Sequence, residues 1–231
     1  MYLQAVCGTK QAILRRRLRV RVKSLGPTPN RLDADKVLVE QHRLAADITK
    51  WHNNYKEVVP LALSLIADSS ITEDDIPSIE DMTLQLPSDI NPRDRDRVGL
   101  QALASVELSI RKGEAFNAIR EVRSLVTHLA ALYQQRRVHI KGVQNMTRAM
   151  GIINTATRHR NEAVEDYNHA RRSILSLDPT LDKQFPELNY THLKLKNIEK
   201  GVYLGTGREQ DSWIWTFGPN SGSAAGELDS V

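Results

Sequence analysis

Apolar residues recur at steps of three and four along much of the chain, and this recurrence limits the possible folds more than any other feature. Phe116, Ile119, Val122, Val126, Leu129 and Tyr133 form one such seam. Ile153, Ala156, Arg160, Ala163, Tyr167, Ala170, Ile174 and Leu177 form a second. With about 3.6 residues per turn, an α-helix gathers these positions into one stripe, and such a stripe is hidden from water by packing on another helix. A half-buried strand would alternate with period two instead. Aromatic residues make up only 5% of the 231 residues, which also disfavours a sandwich or barrel. The expected fold is therefore all-α: long antiparallel helices forming a bundle or coiled-coil hairpin, with an irregular C-terminal strap.

Breaker residues divide the pattern. Residues 1–67 read as a basic first helix, stopped by Gly26-Pro27, and a second amphipathic helix through Val37, Leu44, Ile48, Trp51 and Tyr55, kinked at Pro60 and ending near Asp68-Ser69-Ser70. Residues 68–91 carry Glu73-Asp74-Asp75, Pro77 and Pro87 without sustained periodicity, and read as an acidic linker or surface crossing. Asn91-Pro92 begins the next helix, with Asn91 as N-cap and Asp94 and Asp96 near the positive end of the dipole. Residues 92–177 then form a three-helix bundle or coiled-coil unit, with Gly113 as a helical-hairpin hinge and Gly142 and Gly151 as further breaks. Residues 178–217 are an irregular strap holding Trp213-Ile214-Trp215, with one short helix around Leu188 to Glu199. Residues 218–231, rich in Gly, Ser and Ala, read as a disordered tail.

The net charge of +4 conceals an alternation of sign. Residues 1–30 contain seven basic and no acidic residues, residues 31–91 are acidic, residues 92–177 basic and the remainder acidic. The densest run, Arg15, Arg16, Arg17, Arg19, Arg21 and Lys23, has two explanations. Clustered guanidinium groups release counterions from a polyanion, which suits nucleic acid or an import receptor. The plainer alternative is a solvated helix face beside an acidic segment such as residues 68–91. The single cysteine, Cys7, leaves no partner for an intramolecular disulfide and points to a reducing, intracellular compartment, and the arginine run favours the nucleus. No apolar run approaches membrane-spanning length, so a membrane is not an expected partner.

No catalytic constellation stands out. The chain has no HExxH, GxSxG or P-loop pattern, and Gly205-Thr206-Gly207 lacks the flanking strand and helix of a phosphate cradle. Among seven histidines, His159 with Glu162 or His169 comes nearest to a ligand pair, without a third partner. We therefore expect no cofactor, no metal and no enzymatic activity. Trp213 and Trp215 would fall on one side of an extended segment with Ile214 opposite. They serve either as anchors for a partner or as a strap over the open end of the bundle.

A succession of short motifs carries a family resemblance. Leu86-Pro87-Ser88-Asp89-Ile90 is followed by Gly99-Leu100, Glu107-Leu108, Arg111-Lys112-Gly113-Glu114-Ala115, Ala118-Ile119 and Glu121-Val122-Arg123. Then come Arg160-Asn161-Glu162-Ala163-Val164, Tyr167-Asn168, Ala170-Arg171, Phe185-Pro186 and Asp211-Ser212-Trp213-Ile214-Trp215. In this order, across residues 40–217, the chain resembles the C-terminal helical region of fungal (basidiomycete) KDZ (Kyakuja-Dileera-Zisupton) transposase-associated proteins. The resemblance implies large mobile-element relatives in which a cysteine-cluster region and a nuclease-like core precede this helical part. Neither is present here, so the catalytic residues of that family have no positions to occupy, and the chain is expected to be a C-terminal remnant, truncated product or domesticated fragment. Its expected role is a non-catalytic packing, oligomerisation or scaffold module, whose partners are itself or a related transposase-like protein. The alternative is a DNA-binding helical module acting through the basic first helix.

Overall fold

The structure, a computed structural model, describes residues 2–25, 30–58, 79, 84–193 and 212–218. Among these the fold is all-α: α1 (Tyr2–Ser24), α2 (Arg31–Val58), α3 (Pro92–Val98), α4 (Gln101–His139) and α5 (Val143–Leu177), with short 3-10 turns and no strand. By density of internal packing the chain divides into two compact units. One is formed by Met1–Arg111 with Ser173–Pro179, the other by Lys112–Arg172 with Thr180–Val231.

In the first unit α1 packs on α2. Val37, Leu44, Ile48, Trp51 and Tyr55 of α2 recur at steps of seven, four, three and four, and all are buried with Ala12 and Leu18 of α1 and Leu100 and Leu103 of α4. Leu84 and Leu86 join the same cluster. The C-terminal end of the expected acidic linker is thus part of the core and not a surface crossing, because its two leucines bring more apolar area than an exposed turn tolerates. The kink at Pro60 and the helix end near Asp68 lie outside the described residues. Leu32 and Val39, apolar residues of the same helix, are 67% and 68% exposed, since both fall off the stripe set by Val37 and Leu44.

Helix α3 starts as its sequence dictates. Asn91 accepts a hydrogen bond from the Arg93 N–H at 3.1 Å, and Pro92 occupies the first turn. It stops at Gly99, whose φ of 74° is left-handed and whose N–H bonds back to Arg95 and Asp96. The hinge therefore lies at Gly99, and Gly113 is no hinge: α4 runs through it without interruption. A lone helical glycine costs about 1 kcal/mol relative to alanine, less than the helix gains by burying Ala115, Ala118, Ile119, Val122, Val126 and Leu129 on one side. Gly151 is likewise interior to α5. Gly142, with φ of 88°, does form the turn between α4 and α5.

In the second unit α4 and α5 make an antiparallel hairpin. Leu129 packs with Ile153 and Ala156, flanked by Leu132 and Met150. Tyr133, placed on the seam by spacing, is 50% exposed. Four-residue steps overshoot a 3.6-residue turn, and Leu132 takes the inward position instead.

Candidate functional site

The strap is an ordered element where it is described. Trp213–Trp215 form a 3-10 turn rather than an extended strand, so the two tryptophans do not share a face with Ile214 opposite. Ile214 is the most deeply buried of the three, Phe217 is buried too, and Trp213 and Trp215 are half-buried. The Phe217 ring lies 5.2 Å from Phe116, 5.6 Å from Phe185 and 6.0 Å from Tyr167, and Trp213 lies 5.3 Å from Phe217 and 5.7 Å from Tyr167. Edge and tilted contacts at these distances are the favoured arrangement of aromatic quadrupoles.

Polar clasps hold the aromatic cluster on the hairpin. Arg123 of α4 donates to the carbonyls of Ile214 and Phe217, and burial pulls its guanidinium below the ordinary range. Tyr167 donates to the Pro186 carbonyl at 2.7 Å, and burial pushes its phenol well up, the nearby Arg171 opposing. Asn168 pairs with Leu188 in both directions, and Arg171 donates to the Phe185 carbonyl at 2.8 Å and pairs with Asp182. Past Leu188 the described chain forms a 3-10 turn, Tyr190–His192, and the remainder of the expected short helix, to Glu199, lies outside the described residues. Residues 194–211, with Gly205-Thr206-Gly207, and the tail beyond Gly218 lie outside the described residues.

The arginine run occupies more than one face of α1. Consecutive helical residues are separated by about 100°, so a run this dense winds around the helix, interrupted by buried Leu18. Arg17, Arg21 and Lys23 are exposed, whereas Arg15, Arg16 and Arg19 are half-buried. Arg21 pairs with Glu40 of α2. Both line a cleft of about 420 Å³ between α1 and α2, which also takes Lys10, Arg17, Arg43 and Asp47. The acid facing this part of the run comes from α2.

A further polar cluster is buried in the first unit. Glu107 and Arg111 of α4 are 0% and 1% exposed. The Glu107 carboxylate accepts from the Ser88 N–H at 3.0 Å, the Ser88 hydroxyl at 2.7 Å and Arg111 Nε at 3.2 Å. Burial raises its pKa, while Arg111 and the two Ser88 donors act against the rise. Tyr55 is pushed up to about 12 by burial and then by the Glu107 charge. Ser176 Oγ donates to the Ser88 carbonyl at 2.6 Å, and Arg95 Nη2 donates to the Ser176 carbonyl at 2.8 Å. Through these bonds Glu107 clasps the segment around Ser88 to α4. The signal was present in the sequence: Leu100, Leu103, Glu107 and Arg111 step by three, four and four, placing two charges on an apolar stripe.

Among the described residues no three His, Cys, Asp or Glu side chains gather as metal ligands, and Glu162 lies 4.0 Å from Arg158. Cys7 is exposed. No helix among the described residues is long and apolar enough to cross a membrane. Compared with family models, curated proteins and solved structures, the chain matches none.

Proposed function

We propose that the chain is a non-catalytic helical packing and scaffold module of the kind carried by KDZ-transposase-like mobile-element proteins, holding a second copy of itself or a related transposase-like protein. One observation carries this reading. The chain's own strap packs on the α4–α5 hairpin around Phe116, Arg123 and Tyr167, while Tyr133, Val138 and Val143 toward the turn between the helices are each at least half exposed. Apolar side chains left exposed on a helical hairpin are suited to receiving another chain. The aromatic cluster and its arginine clasps fix the strap on the hairpin.

A nucleic-acid-binding role in the nucleus has support of its own in Arg17, Arg21 and Lys23, exposed on α1 beside Lys10. Light scattering of the purified chain, at low and high salt and with and without duplex DNA, separates the two. A scaffold gives a defined assembly whose mass is insensitive to salt and DNA. A phosphate-binding module gives a DNA complex that dissociates steeply as salt rises. A salt-insensitive monomer that ignores DNA contradicts both.

A further inference from the structure

The distal part of the α4–α5 hairpin has a groove along one face. On α4, Leu125, His128, Leu132 and His139 share one stripe, stepping by three, four and seven. On α5, Arg148, Ile152, Thr155 and His159 share another, stepping by four, three and four. Two concavities of about 570 and 310 Å³ meet at Arg148 and Ile152, so the stripes border one continuous furrow. At 1.5 Å per residue it runs about 21 Å along α4, roughly four turns of helix.

Its chemistry is lopsided. The floor is apolar or small, with Leu125, Leu132, Ile152 and Ala156, and Gly151 leaves open space where a side chain would stand. The rim is His128, His139, Arg148 and His159, and no Asp or Glu occurs anywhere from Val122 to Asn161. Ile152, at the meeting point, is 58% exposed.

We propose that this groove binds an amphipathic helix with acidic flanks from another protein. The apolar floor accepts a stripe of leucine or alanine, in the helix-in-groove mode. The exclusively basic or neutral rim selects carboxylates on either side of that stripe. A second copy laid face to face would set Arg148 and the histidines against their own kind. Duplex DNA would have no use for the apolar floor. The groove deepens the scaffold role by naming the chemistry of a partner, and it rests on that role, although its test fails separately. A chain that still assembles in light scattering but ignores the probe refutes the groove alone.

The probe is a fluorescently labelled peptide of about 18 residues, long enough to span roughly four turns, with a leucine/alanine stripe flanked by glutamates. Its anisotropy is titrated with the full chain. The glutamate peptide is expected to bind roughly tenfold or more tightly than a lysine-flanked peptide of the same stripe, and than polyglutamate of equal length. Ile152→Glu and Arg148→Glu, both at exposed positions, should each weaken binding by roughly tenfold at unchanged helical circular dichroism. Equal binding of the lysine peptide, equal binding of polyglutamate, or indifference to either substitution overturns the proposal. So does DNA binding that Arg148→Glu abolishes while the glutamate peptide stays free, or a dimer that Ile152→Glu dissolves.

Discussion

Gly8 shows how one missing side chain sets the seat of a helix. It is buried in α1, where a Cβ would lie 2.6 Å from Leu86 Cδ2 and 3.0 Å from Trp51 Cζ2. The Trp51 ring is 3% exposed and stacked on Tyr55 at 4.8 Å, so it has little room to yield. Gly8→Ala would gain up to about 1 kcal/mol of helix propensity against an overpacking cost of about 1–3 kcal/mol. The cost wins, and the melting temperature read by circular dichroism should fall. An unchanged or higher value would mean that α1 does not sit on Trp51. Nothing in the spacing of the sequence marks Gly8, because a close approach depends on what two distant segments bring to it.

At the scale of elements, the sequence was legible wherever a signal acted locally. The Asn91-Pro92 start, the Gly142 turn and the buried stripe from Val37 to Tyr55 all follow from the chemistry of neighbouring residues. Gly113 misled because a glycine ends a helix only where the chain gains by turning, and here the apolar stripe continues across it. This predicts that Gly113→Ala stabilises the protein by up to about 1 kcal/mol, since its Cβ would meet nothing within 4 Å. A lowered melting temperature would restore the hinge. The tryptophans misled for a related reason. An extended segment and a 3-10 turn present different residues inward, and only the tertiary surface formed by Phe116, Tyr167 and Phe185 decides that Ile214 and Phe217 go deepest. Helical spacing marks Glu107 and Arg111 as charges on an apolar stripe but not the partner Ser88, which is 19 positions away.

The whole molecule comprises two units, one with a core built on α1 and α2 and one in which the strap packs on the α4–α5 hairpin. Among the described residues the strap holds the hairpin around Phe116, Arg123 and Tyr167, and the part toward the α4–α5 turn keeps Tyr133, Val138 and Val143 exposed. Hydrogen–deuterium exchange on the full chain, on a chain cut after Gly218 and on one cut after Gly207 tests this directly. Amides of α4 near Phe116 and Arg123, and of α5 near Tyr167 and Arg171, should be strongly protected in the first two, with protection declining toward His139 and Val143. The cut after Gly207 removes Ile214, Phe217 and the carbonyls that Arg123 holds, so it should erase most of that protection. Indistinguishable exchange in all three would contradict the account, because the strap would then hold nothing.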